Sequence, residues 1–246
     1  MKPLTSPSTL FLITICVVVS LGITACKTMD TRLNDIAGQL SAASNTLTGQ
    51  DFYRGVLDAL SVGVKRAVNT LGRSGGYYDD MKVRIPVSDQ LEKVASTLRR
   101  LGQDQYVDQF VRTMNEAAEQ AAPQAKTIFI NAIKQMKIDD AKRIVNGPDN
   151  AATEYFRDKT YGSLQDAFLP VVKRATSQVN LTASYKRMTD KIGFLGQYLD
   201  ADTLDLDAYI TRKALDGLFI KLAEEEGKIR HDPVARTTEI LKKVFG

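Results

Sequence analysis

"DQYVDQFVRTMNEAAEQA", residues 104–121, decides the class of this fold. Its apolar positions Val107, Phe110, Val111, Met114, Ala117, Ala118 and Ala121 advance by three and four residues without a miss, the period of one buried helical face. A half-buried strand would alternate in twos, and this stretch does not. The spacing predicts a central helix, and its small C-terminal residues predict that a neighbouring backbone comes close. Pro123 removes an amide hydrogen and crowds the preceding turn. A kink or break is therefore expected before the apolar face resumes at Ile128, Phe129, Ala132, Ile133 and Met136.

The same period extends in both directions. Val56, Leu60, Gly63, Val64, Ala67 and Leu71 form a stripe that stops at "GRSGG", residues 72–76. That stretch lacks the Gly-Lys-Ser/Thr ending of a phosphate loop, so it reads as a turn. Lys82 to Ile85 is the only strand-like tetrad, with Pro86 forcing the residue before it to be extended. Ser88 is placed to cap a helix bearing Leu91, Val94, Ala95, Leu98 and Leu101, and Gly102 to end it in the left-handed conformation. Asp139 starts a short helix that Gly147 stops, Asp149 opens another bearing Ala152, Tyr155 and Phe156, and residues 163–179 form one interrupted or kinked at Pro170. Residues 181–199 are patterned less well. A last long helix is expected from about Leu206 to Arg230, after which Asp232 and Pro233 restart the chain and Leu241, Val244 and Phe245 tuck in its end. No run alternates for long enough to make a sheet, and no fixed-period repeat suggests a solenoid. The reading is all-α: a single globular domain, residues 51–246, of about eight helices.

The N-terminal segment has a different character. Residues 10–23 are an unbroken apolar run of 14, too short for the roughly 20 residues of a spanning helix. Lys2 before the run and Thr24 and Ala25 after it make residues 1–25 an export signal. "ITAC", residues 23–26, resembles the bacterial lipobox, in which the Cys is diacylated before cleavage makes it the first residue. Cys26 is thus the expected lipidation site and the membrane the expected first partner, held by a lipid anchor. Residues 26–50 read as the lipidated Cys and a polar tether whose flexible coil reaches about 25–30 Å, with Leu33, Ile36 and Leu40 offering a short amphipathic helix as the lesser alternative. Lys27 is not the Asp that favours inner-membrane retention in enterobacteria, which points to the outer membrane, facing the periplasm.

Cys16 leaves with the signal and Cys26 carries lipid, so the domain has no thiol or disulfide and stands on packing alone. The formal charge of the whole chain, +4, becomes +3 once Lys2 is removed with the signal, with both signs interleaved. That balance excludes a nucleic-acid footprint.

Site signals are sparse. With one histidine and no cysteine in the domain, the usual sets for activating a nucleophile are missing, and His231 beside Pro233 reads as an exposed linker residue. No His pair starts a zinc site. "DADTLDLDAYIT", residues 200–211, mimics a calcium loop but fails at Leu204, Asp205 and Thr211; its acids read as caps of the helix that follows. No metal or cofactor is expected. The candidate polar site lies in "LDGLFIKLAEEEGKIR", residues 215–230. Leu215, Leu218, Phe219, Leu222 and Ile229 define the apolar face, Glu226 falls in its middle, Arg230 stands one turn on, and Glu224 points outward. A carboxylate turned inward must be paired or neutral. Glu226 and Arg230, reached also by Arg84 or Arg236, form either an ion pair that fixes packing or a perturbed acid in a ligand groove.

Four separated blocks appear in order: "VRIPVSDQL" (83–91), "MNEAAEQAAPQA" (114–125), "NAIKQMKIDDAKRIVNGPDNAATEYFRDKT" (131–160) and "ALDGLFIKLAEEEGKIRHDPVARTTEILKKVFG" (214–246). Through them the chain, over nearly all of residues 53–246, resembles a family of exported bacterial proteins known as domain of unknown function forty-one ninety-seven. The resemblance implies a helical domain behind a signal or lipobox and brings no catalytic roles. The function expected is a lipid-anchored, non-enzymatic domain of the cell envelope that binds an envelope protein or a small ligand. Two alternatives stay open: an acid/base hydrolase of an envelope component using Glu226 and Glu154, which needs only paired acids, and a carrier of an apolar ligand.

Overall fold

The structure, a computed structural model, describes residues 49–178, 181–191 and 205–235. Cys26, the tether as far as residue 48, residues 200–204 of the calcium-like stretch, Arg236, Leu241, Val244 and Phe245 lie outside them. The described residues form eight α-helices and no strand. These are α1 (Gly49–Leu71), α2 (Asp89–Arg100), α3 (Asp104–Ala121), α4 (Ala125–Lys134), α5 (Ile138–Val145), α6 (Ala151–Gln178), α7 (Leu181–Asp190) and α8 (Leu206–His231). α1 begins within the stretch read as tether. The class is all-α.

α3 is central: Val107, Phe110, Met114, Ala117, Ala118 and Ala121 are fully buried, and α2, α6, α7 and α8 all pack against it. Ala122 and Ala125 continue this alanine surface without exposure, so side chains occupy little of the gap between helices. Pro123 sits in one turn of 3-10 helix, residues 122–124, that separates α3 from α4. Gly102 ends α2 with φ +69°. Ser88 stands at the N-cap of α2 with extended backbone, but its side chain makes no capping bond and its Oγ is buried without a partner.

One expectation is corrected. The separate helices expected from Asp149 and from residue 163 are one, α6, of 28 residues with Pro170 inside it. Phe156, Thr160, Leu164, Phe168, Val172 and Ala175 keep one buried face across both segments. Pro170 is exposed, so the hydrogen bond it forgoes is on the water side, where solvent can satisfy the carbonyl that loses a partner. The strand-like tetrad at 82–85 stays loop, as the absence of any longer alternating run leads one to expect, with Val83 and Ile85 buried. Asn115 of α3 takes the role of a neighbouring strand: it accepts from the Ile85 amide at 2.8 Å and donates to the Ile85 carbonyl at 2.9 Å.

α8 lies along α6 in the most extensive helix pairing of the domain. Asp205 caps it, accepting from the Ala208 amide at 2.9 Å, as the acids before this helix lead one to expect. At its other end Asp232 accepts from the Val234 amide at 2.9 Å and opens a 3-10 turn that starts at Pro233.

Candidate functional site

The inward-facing carboxylate of α8 meets two helix ends. The first amides of any helix have no partner within it and carry partial positive charge, and the last carbonyls are likewise unpaired and negative. Glu226 accepts from the amides of Ala152 and Thr153 at 2.9 Å and from the Thr153 hydroxyl at 2.8 Å, all in the first turn of α6. Arg230 Nη2 donates to Glu226 Oε1 at 2.9 Å and to the Ile144 carbonyl at 2.7 Å, and its Nη1 donates to the Val145 carbonyl at 3.3 Å, at the end of α5. The pair ties α5, α6 and α8 together. The space beside it, walled by Val56, Leu60, Gly63, Phe156 and Ile229 among others, is about 30 Å³, room for about one water molecule.

The other candidates stand apart from this junction. Glu154 follows Thr153 but is exposed. His231 is exposed at the end of α8, with Nε2 3.0 Å from Asp149 Oδ1. Arg84 belongs to the loop of residues 72–88 and lies over the Tyr78 ring at 4.0 Å. The structure therefore brings Glu226 and Arg230 together and leaves Arg84 and Glu154 elsewhere.

That loop is fastened by residues the sequence reading passed over. Glu119 of α3 is buried and accepts from the amides of Gly75, Tyr77 and Tyr78 at 3.1–3.3 Å. Burial raises its pKa, against the pull of the three amides. Tyr77 is fully buried and donates its hydroxyl to the Ala214 carbonyl at 2.8 Å; burial, with Glu119 nearby, raises its pKa as well. Lys221, almost buried on α8, bridges Asp80 of the loop and Glu224, whose other oxygen accepts from Lys82 at 2.7 Å. Glu224 thus anchors the loop as well as meeting solvent. One signal was present: Val111, Asn115 and Glu119 follow one another at four-residue steps, so two polar side chains share the inward line of α3.

The fastened loop forms one wall of a cleft of about 400 Å³. Lys82, Arg84 and Pro86 supply that wall, Arg157 of α6 a second, and Lys213, Asp216 and Ile220 of α8 the third. Arg157 lies over the Phe219 ring at 4.4 Å, as Arg84 does over Tyr78. Arg84, Arg157 and Lys213 form no ion pair among the described residues, and Arg84 Nε is buried with no hydrogen-bond partner. A larger groove of about 710 Å³, between α4, α5 and α6, is different in kind. There Arg143 is paired with Asp140, and Lys159 with Asp158 at 3.0 Å.

Among the described residues no group of His, Cys, Asp and Glu is clustered to hold a metal ion, and no helix is long and apolar enough to cross a membrane. Comparison with curated proteins and with solved structures finds no match. The family is found at the level of sequence pattern, over residues 46–246, which include the loop, α6 and α8 that frame the cleft: the chain belongs to the family described as Protein of unknown function (DUF4197).

Proposed function

We propose that this chain is a lipid-anchored binding domain of the cell envelope. Cys26 holds it on the outer membrane, the tether lifts the helical domain into the periplasm, and the domain binds a small ligand or an envelope protein without transforming it. The observation that carries the binding reading is the cleft between the loop, α6 and α8. It has the volume of a small-molecule site, and two of its cations, Arg84 and Arg157, lie over aromatic rings and form no ion pair among the described residues. Its walls include one carboxylate, Asp216, and no histidine, so they offer attraction without the acid and base pair that hydrolysis uses.

The alternatives draw less support. Glu226 has both carboxylate oxygens engaged by amides, a hydroxyl and a guanidinium, which leaves it no lone role as a proton donor beside the exposed Glu154. An apolar cargo needs far more than the space of about 30 Å³ at the α1–α8 contact. The anchor is tested with Cys26→Ser in the full chain. The substitution is expected to leave an uncleaved precursor of slower electrophoretic mobility and to remove the protein from the outer-membrane fraction; unchanged mobility and fractionation contradict the envelope reading.

A further inference from the structure

The cleft has a charge that selects its ligand. Lys82 is matched by Glu224, which leaves Arg84, Arg157 and Lys213 facing the single Asp216, a surplus of two positive charges. Three observations separate this from an ordinary basic surface. The cations come from three elements and meet in one concavity instead of following one another along a helix. Two of them are arginines whose guanidinium carbons lie over aromatic rings, at 4.0 and 4.4 Å, a contact that favours their present position and occupies none of their N–H groups. The third observation is Arg84 Nε, a donor shielded from water that no atom of the described residues satisfies, in a loop held by Glu119, Asn115 and Lys221. A buried donor without an acceptor is costly unless something else supplies the oxygen.

We propose that the cleft is a binding site for a phosphate monoester. A monoester carries close to two negative charges at neutral pH and three strong acceptor oxygens, matching the surplus and the fork geometry of two arginines. The volume leaves room for a small organic group beside the phosphate, and Asp216 is placed to accept from a hydroxyl on it. The same headgroup chemistry occurs in soluble metabolites and at the end of a lipid such as phosphatidic acid. This assignment rests on reading the cleft as a binding site and is independent of the lipid anchor.

Titration calorimetry on the full chain in detergent tests it with three probes: inorganic phosphate, glycerol 3-phosphate, and dihexanoyl phosphatidic acid. Glycerol 3-phosphate is expected to bind one to one, with affinity at least tenfold weaker in Arg157→Gln and in Lys213→Gln. Lys142→Gln, on α5 and away from the cleft, is expected to bind as the wild type does. Lys213 is half-buried and unpaired among the described residues, so its variant keeps the test valid if Arg157→Gln unfolds; melting curves identify that case. Binding of glycerol 3-phosphate and not of the short-chain lipid supports a soluble monoester, binding of the lipid alone supports a headgroup, and equal binding of the two supports recognition of the phosphate monoester itself. Binding of none of the three, or binding indifferent to both substitutions, overturns the phosphate assignment. If, in that event, an envelope component still co-purifies with the wild type and is lost in Lys213→Gln, the broader binding reading survives; loss of both removes the cleft from the account.

Discussion

Glu226 accepts five hydrogen bonds, three from the start of α6 and two from Arg230. A buried ion pair adds little net stability over apolar residues of the same size, but removing one partner leaves the other charged and unmatched. The loss here is compounded, because Gln keeps one oxygen only, so one of the two α6 amides would face its NH2 group in place of an acceptor. Glu226→Gln is therefore expected to lower stability by about 3 kcal/mol, or roughly 6–12 °C in melting temperature for a domain of this size. A calorimetric melt that moves by less than a degree would show that the junction does not fix the three helices. The sequence showed this pair by periodicity alone, since both residues sit on one helix. It could not show what the pair meets, because the ends of α5 and α6 lie more than seventy positions away.

At the scale of elements, the contact between the 72–88 loop and α8 depends on charge. The hydrogen bond from Lys221 holds the Asp80 carboxyl below its ordinary 3.8. Burial pushes Glu224 up, but Lys221 and Lys82 outweigh it and its pKa falls below 4.5. Carboxyls depressed in the folded state contribute stability that is fully present above their unfolded values and lost as pH falls through the folded ones. Glu119 acts in the opposite direction, its pKa raised first of all by burial. Its contribution is present at low pH and lost as pH rises above about 4.5, and it cancels when two proteins that share it are compared. Lys221→Met removes the shared cation, so its melting temperature is expected to fall less steeply than that of the wild type between about pH 5 and pH 3. Parallel curves would mean that Lys221 does not depress the two acids. The loop itself was read as strand-like because Val83 and Ile85 alternate with charged residues, a pattern that one side-chain amide, Asn115, satisfies without a sheet. Pro170 does not interrupt its helix, since a proline on the wet face of a long helix forgoes a bond that water can replace.

For the whole molecule, the fold was legible wherever one apolar face ran unbroken, as in α1, α2 and α3, because helical periodicity is written in consecutive residues. The cleft was not. Lys82 and Arg84, Arg157 and Lys213 are separated by more than fifty positions at each step, and only the packing of α6 against α8 with the loop across them brings the cations together. Arg84 was singled out from the sequence, but for a partner it does not meet. The account joins that cleft to an anchored N-terminus, and the anchor is the part on which location and access to ligand depend. The most direct measurement is the intact mass, with N-terminal fragmentation, of the protein extracted from the membranes of cells that export it. The account predicts a chain that starts at Cys26 and carries the added mass of a thioether-linked diacylglycerol on that residue; a chain that retains Met1 to Ala25, or begins elsewhere without lipid, contradicts it.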